Sequence, residues 1–247
     1  MSKVLIITLA GESTRFRKTL KKDVLKGIYK DNRNISILDI LLNYSVNLFE
    51  NIIIVGGYKF DELEKYVRNK NLDNIELVYN KLYKDGSNVS LIEGINAIKS
   101  NYNEVLFVEG DLVIDKNSFL NVVNSNKNII TYNQHKIEAS KSVAYYITLS
   151  NQIKYIYDTQ HNSFNITESF STISNSGQIW KFKDIKLLKN IANSFNSNHK
   201  KFTNLATIEK YFNSIMSYEI DEICIKDWYN CNTINDYNLA IDFITGE

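Results

Sequence analysis

Val4, Leu5, Ile6, Ile7, Thr8, Leu9, Ala10, Gly11, Glu12, Ser13, Thr14, Arg15, Phe16, Arg17 is the stretch on which the reading of the fold turns. Residues 4–9 form an apolar, β-branched run of strand length that breaks at once into a glycine, two hydroxyls and two guanidiniums. A secretory segment would meet a small-residue cleavage site after its apolar core. This run meets Gly11, Glu12, Ser13, Thr14 and Arg15, so it reads as a buried strand ending in a polar turn. Outward from it, strand-like and helix-like segments alternate. A helical period over 36–49 carries the stripe Ile37, Leu41, Leu42 and Leu48; then come a strand at 52–55, a helix near 61–69, a strand at 75–79, a helix near 90–99 and a strand at 105–108. Such alternation calls for parallel strands with right-handed crossovers, a doubly wound α/β half.

Beyond about residue 128 the pattern becomes mixed α+β. Strand-like pieces stand at 129–132, 143–149, 153–157 and 178–182, with helices near 184–195 and 204–216 and a last strand at 219–225. Thr233 and Asp236 have capping-box spacing and open the closing helix. No repeat, Gly/Ser linker or charge block marks a boundary. The expectation is one domain over 1–247, with halves at about 1–127 and 128–247.

Composition narrows the function classes. The 247 residues are enough to bury a large core, and 44% hydrophobic with 23% charged residues is ordinary for a soluble globular chain. No apolar run approaches the roughly 20 residues that span a bilayer, which argues against membrane insertion. The 29 basic and 28 acidic residues nearly cancel, so no global basic field attracts nucleic acid, and any bound anion must be held locally. Cys224 and Cys231 are too few for a disulfide framework, and the expected location is cytoplasmic. The sequons at Asn34, Asn88 and Asn165 then read as accidents of an Asn-rich, proline-free chain.

In an open parallel sheet the ligand sits beyond the carboxyl ends of the strands. The loop after the first strand offers Gly11, Ser13, Thr14, Arg15 and Arg17, which as backbone N–H groups plus guanidiniums make a polyphosphate pocket; the plainer alternative is an ordinary strand-to-helix turn. It is neither a GxxxxGK[ST] loop nor a GxGxxG fingerprint, which removes the main support for a P-loop ATPase or a Rossmann dehydrogenase. The strand ending Glu109, Gly110, Asp111 delivers a carboxylate suited to holding Mg²⁺ against substrate phosphates, or else a surface-turn aspartate.

Leu9, Ala10, Gly11, Ser13, Thr14, Arg15 and Phe16 resemble the N-terminal signature of the nucleotidyltransferase family with the GT-A-like α/β fold, which includes sugar-phosphate nucleotidylyltransferases. Ser13 replaces the usual second glycine, and Glu12 occupies a small or apolar position. The family's downstream lysine corresponds to Lys26, preceded by Leu25 in place of proline, with Lys22 as the alternative. The run Ile52, Ile53, Ile54, Val55, Gly56, Gly57, Tyr58, Lys59 is similar to the family's second strand, and Glu109, Gly110, Asp111 to its metal-binding strand end. The segment from Asp85 through Gly86, Ser87, Asn88, Val89 and Ser90 to Leu91 resembles the loop that cytidylyltransferases of the phosphocholine and aminoethylphosphonate type place near the base. Asn88 or Ser90 as a helix cap, with Glu93 completing a box, is the competing reading. Near the end, Asn232 stands where family members carry the second metal ligand, a place that equally suits a helix N-cap.

The resemblance implies a Rossmann-like, GT-A-type mixed sheet of mainly parallel strands flanked by helices, with a β-rich acceptor-side subregion. It implies a Mg²⁺-dependent cytidylyltransferase that moves CMP from CTP to a small phosphorylated acceptor, such as phosphocholine, aminoethylphosphonate or phosphoglutamine, and releases pyrophosphate for use in surface-polysaccharide decoration. Arg15 and Lys26 would be catalytic; Leu9, Ala10, Gly11, Glu12, Ser13, Thr14, Gly86, Ser87 and Asn88 would hold the nucleotide; Asp111 and Asn232 would hold the metal. Glu168, Tyr146 and Trp180 are candidates for the acceptor side, where Tyr145, Tyr155, Tyr157, Phe164, Phe170 and Asp158 also cluster, either as an ammonium site or simply as core. No protein nucleophile is needed, in keeping with three scattered histidines, His135, His161 and His199, read as surface residues. Partners are CTP and the acceptor, with no nucleic acid and no membrane; a homodimer is left open. The alternatives are a sugar-1-phosphate nucleotidylyltransferase, a GT-A glycosyltransferase, whose DxD pair is missing at Asp111, Leu112, Val113, and a catalytically silent nucleotide-binding module.

Overall fold

Strand β1 (Lys3–Leu9) pairs in parallel with β2 (Asn51–Gly56) on one side and with β4 (Glu104–Glu109) on the other, and β3 (Ile75–Tyr79) extends the sheet in parallel beyond β2. The computed structural model describes residues 2–99, 102–139, 142–157, 163–195 and 202–246, so Asp158, His161 and His199 lie outside the described residues. The alternation in the first half thus builds the doubly wound parallel half expected from it. The second half enters the same sheet: β9 (Phe170–Phe182) runs antiparallel to β4, β6 (Asn128–Asn133) antiparallel to β9, and β10 (Ile220–Ile225) parallel to β6. The order is β10-β6-β9-β4-β1-β2-β3, with β7 (Ala144–Thr148) and β8 (Ile153–Ile156) added to the free part of β9 as the β-rich subregion.

Successive residues of the central strands feed two cores. Leu5 and Ile7 of β1 join α2 (Ile37–Ser45), α3 (Phe60–Arg68), α5 (Lys116–Asn124) and α8 (Ile234–Thr245) on one face, whereas Val4 and Ile6 join α4 (Ser87–Ala97), α6 (Ile185–Ser194) and α7 (Leu205–Phe212) on the other. Central strands covered on both faces must be apolar throughout, which is why Ile52, Ile53, Ile54 and Val55 show no polar alternation. Capping places the helices: Ser36 and Asp39 close a box on α2, and Thr233 and Asp236 close the expected one on α8.

Three elements depart from the sequence reading. Strand β9 begins at Phe170, well before 178, because β7 and β6 satisfy the backbone of a Ser- and Asn-rich segment that has no apolar alternation of its own. Helix α5 was not expected; Asp115 accepts from the Ser118 N–H at its start, and Phe119, Val122 and Val123 form its buried stripe. A two-stranded antiparallel pair of β5 (Leu112–Ile114) and β11 (Trp228–Asn230) is too short to show in a periodicity, yet it draws the two ends of the chain's chemistry together. No helix of the described residues is long and apolar enough to cross a membrane.

Candidate active site

At the carboxyl ends of β1 and β4, beside Gln178 in the body of the antiparallel β9, lies a cavity of about 330 Å³ lined by Gly11, Ser13, Thr14, Arg15, Lys26, Ser87, Glu109, Asp111, Gln178, Asn204, Asn230 and Asn232 among others. The turn after β1 is tied down by the Tyr58 N–H, which donates to the Ala10 carbonyl at 3.0 Å. It then enters α1 (Thr14–Leu20) through Ser13, whose φ of +53° is the left-handed conformation that glycine adopts freely. A Cβ on Gly11 would meet nothing within 4 Å, leaving room for a ligand to approach the backbone. At the end of β4, Gly110 donates to the Thr8 carbonyl at 3.1 Å, and a Cβ there would come within 2.4 Å of the Leu9 side chain, so only glycine lets the chain turn tightly enough to bring Asp111 beside the first loop.

Lys26 opens a 3-10 turn, is buried, and places its Nζ 2.9 Å from Asp111 Oδ2. The exposed Lys22 does not line the cavity, so the geometry assigns the cavity lysine to position 26. The loop that carries Lys26 is anchored through Asp23, which accepts from Arg17 at 2.7 Å and from the Tyr58 hydroxyl. Arg15 donates to Asn232 Oδ1 at 2.9 Å, and the Cys231 N–H donates to the Asp111 carbonyl at 2.9 Å. Arg15, Lys26, Asp111 and Asn232, widely separated in sequence, therefore meet in one cavity.

The opposite wall was not foreseen. Asn204, at the start of α7, donates to Glu109 Oε1 at 2.7 Å, Gln178 of β9 donates to Glu109 Oε2 at 3.0 Å, and Asn230 donates to Gln178 Oε1 at 3.0 Å. Burial and the neighbouring charge of Asp111 raise the pKa of Glu109. Glu109 and Asn230 stand two residues before Asp111 and Asn232, so a faint local signal existed for them. Gln178 and Asn204 gave none, because their contacts are made only by folding.

Several expected site residues lie elsewhere. Gly86, with φ of +119°, precedes α4, which starts at Ser87 and has no side-chain cap; the capping roles considered for Asn88 and Ser90 are therefore corrected. Both are interior to the helix: Asn88 Oδ1 accepts from Thr207 at 2.7 Å and Ser90 Oγ accepts from Asn80 at 2.9 Å, so Asn88 faces α7 and does not line the cavity. Ser87 does line it, whereas Ala10, Glu12 and Gly86 do not; Glu12 instead pairs with Lys84 at 3.7 Å. Trp180 is fully buried, stacked on Phe107 with centroids 5.3 Å apart, and donates to the Tyr155 hydroxyl, so its ring is core and offers no face to a ligand. Tyr146 donates to Glu168 at 2.9 Å away from the cavity lining. His135 is exposed, as expected.

The donor set suits a hard divalent cation. Asp111 Oδ1 and Asn230 Oδ1 are both buried without a hydrogen-bond partner among the described residues, a costly state that a bound ion would relieve. One carboxylate with one or two amide oxygens is the kind of sparse oxygen set that Mg²⁺ accepts, since that ion keeps waters and takes substrate oxygens.

A mostly parallel sheet of this order, flanked by helices, is a fold shared with solved nucleotidylyltransferases. Among solved structures the chain is similar to the inositol-1-phosphate CTP transferase from T. maritima, with a TM-score of 0.71, 16% identity, and coverage of 97% of this chain and 95% of that one. It is also similar to the CTP:phosphocholine cytidylyltransferase LicC from Streptococcus pneumoniae (TM-score 0.69, 13% identity, 99% of this chain and 100% of that one). A third is a putative glucose-1-phosphate thymidylyltransferase from Bacillus anthracis (TM-score 0.72, 11% identity, 98% and 95%). No curated protein sequence matches the chain. Residues 22–244 match the family model described as Domain of unknown function (DUF6564), and the chain belongs to that family.

Proposed function

We propose that this chain is a Mg²⁺-dependent cytidylyltransferase that transfers CMP from CTP to a small phosphorylated acceptor of the phosphocholine, aminoethylphosphonate or phosphoglutamine kind, in the cytoplasm, with pyrophosphate as the second product and surface-polysaccharide decoration as the use. The observation that carries the reading is that Arg15, Lys26 and Asp111 line one cavity, with Lys26 and Asp111 2.9 Å apart. Arg15 and Lys26 would neutralise charge on the α-phosphate and the leaving pyrophosphate, while backbone N–H groups of the 9–14 turn position the triphosphate. Asp111, with Asn230 or Asn232, would hold Mg²⁺, which supplies Lewis-acid polarisation of the phosphate oxygens. The attacking oxygen belongs to an acceptor phosphate already ionised near neutrality, so no protein base is called for.

A second reading is favoured by the cavity wall. Gln178, Thr203 and Asn204 present amides and a hydroxyl there, and of the acceptor-side aromatics Tyr157 lines it while Tyr146 and Trp180 do not, a mainly polar wall that suits a hydroxyl-rich sugar 1-phosphate. Pyrophosphate release with CTP, UTP, dTTP and Mg²⁺ against a panel of phosphocholine, aminoethylphosphonate, phosphoglutamine and sugar 1-phosphates separates the two. No release with any pairing would leave a silent nucleotide-binding module as the better description.

A further inference from the structure

A carboxamide ligates a cation only when its oxygen is turned towards the ion, because its other end presents N–H donors that repel it. Position 230 carries an asparagine, and three hydrogen bonds decide which way its amide faces. In its ionised form the Glu109 carboxylate has acceptor oxygens only; it takes one N–H from Asn204 at 2.7 Å and one from Gln178 at 3.0 Å. Gln178 therefore gives its NH₂ to Glu109 and has only Oε1 left for Asn230, whose Nδ2 lies 3.0 Å away. Asn230 must then direct Oδ1 away from Gln178, and that oxygen is buried and unpartnered among the described residues, as is Asp111 Oδ1. Asp111 and Asn230 both line the cavity, and Asn230 pairs with Leu112, the residue after Asp111, on the β5/β11 ladder. The Asn232 oxygen, by contrast, is already engaged by Arg15 at 2.9 Å.

The backbone is shaped to allow this chain of bonds. Gln178 is 3% exposed, yet it holds φ at +55° within β9. It sits close to the register shift between β6 and β9, and its N–H is taken by the Ser176 hydroxyl at 3.1 Å. A left-handed residue inside a strand is maintained only where the surroundings over-determine it.

We propose that Glu109 and Gln178 are positioning residues that lock the Asn230 carboxamide with its oxygen presented, together with Asp111, to a divalent cation. This rests on the reading of the cavity as a Mg²⁺-dependent nucleotidyl-transfer site. A carboxylate at position 230 would need no such lock, since either of its oxygens serves.

The test is Mn²⁺ binding to the full-length protein, read from the electron paramagnetic resonance signal of the free ion, for wild type, Gln178→Met, Glu109→Gln, Asn230→Asp and the double variant Gln178→Met with Asn230→Asp. Gln178→Met keeps length and neutrality while removing both polar ends. It is expected to weaken Mn²⁺ binding about tenfold or more, as for other residues that orient a ligand, and Glu109→Gln should do likewise. In the Asn230→Asp background, Gln178→Met should shift the dissociation constant by less than about twofold, a rescue that loss of packing would not show. Equal loss in both backgrounds, no loss in either, or a wild type that binds no Mn²⁺ overturns the positioning role. Pyrophosphate release measured on the same preparations separates that from failure of the transfer reading: Mg²⁺-dependent release by a wild type whose Gln178→Met variant binds Mn²⁺ normally sinks the positioning role alone.

Discussion

Ser13 holds a left-handed φ of +53° between Gly11 and α1, a conformation costing a side-chain-bearing residue roughly 1 kcal/mol relative to glycine. Its half-buried setting, with a 3.5 Å hydroxyl contact to the Gly11 carbonyl, offers little in return. Ser13→Gly should therefore be neutral or raise stability by up to about 1 kcal/mol, measured by urea unfolding; a clear loss would mean that the hydroxyl has a structural task. Arg15 is exposed in the cavity mouth, and among the described residues its guanidinium is bonded only to Asn232, so its removal should leave the fold intact. Arg15→Ala is expected to lower kcat by about 10²–10³, as for loss of one preorganised donor, with an unchanged melting temperature. Asp111→Asn should abolish turnover at ordinary Mg²⁺ and recover part of it as Mg²⁺ is raised. Turnover by Asp111→Asn without any divalent ion would remove that residue from the site.

At the scale of elements, the helix ends hold the scaffold under the site. Asp39 closes the capping box of α2 and is flanked by Lys30 at 2.8 Å and Lys70 at 2.5 Å. Burial pushes its pKa upward, but the hydrogen bonds from Lys30, Lys70 and Tyr66 outweigh that and bring it down to about 2. A carboxylate lowered in the folded state adds stability that is complete above its unfolded pKa near 3.8 and disappears as pH falls through about 2. Asp39→Asn should thus cost about 2 kcal/mol at pH 7 and progressively less towards pH 2, followed by denaturant midpoints across that range. A pH-independent loss would assign the cost to the cap geometry alone.

Across the whole molecule, charge is divided between the two ends of the sheet. The carboxyl ends of the strands hold the cavity, while at the amino end of β4 the buried Glu104 gathers Lys181 at 3.0 Å, Lys183 at 2.6 Å and Lys3 at 3.4 Å. Lys181 is 2% exposed and also donates to the Val123 and Ser125 carbonyls, stitching β9 to the end of α5. Glu104→Gln leaves that ammonium without its counter-charge and should cost about 3 kcal/mol or more, whereas Glu104→Gln with Lys181→Met should regain much of it. Neither variant should alter nucleotide affinity, because the change is made at the far end of the strands. A parallel fall in affinity would show that the two ends of the sheet are coupled.

Local pattern was sufficient for the parallel strands of the first half. Residues 4–9, 52–55 and 105–108 are strands because both faces of each are covered, which forces an apolar composition readable without neighbours, and the edge strand 75–79 is legible from its β-branched and aromatic residues. The glycine-containing turn and the strand-end Asp111 were legible for the same reason, since position after a buried strand already says where a side chain emerges. The far wall of the cavity was not. Gln178 is placed by a left-handed backbone inside a Ser- and Asn-rich strand, Asn204 by the docking of α7, and Asn230 by a three-residue ladder, and each acquires its partner only through long-range pairing. Aromatic content could not separate an ammonium site from core: Trp180 is buried where β9 pairs with β4 and β6, and Tyr145 where β7 joins β9 over the second core, facts of tertiary packing that composition does not contain. What the chain's own order determined was the scaffold and one side of the site; hydrogen bonds between residues distant in sequence decided the other side, because an amide's direction depends on what it faces and not on what precedes it.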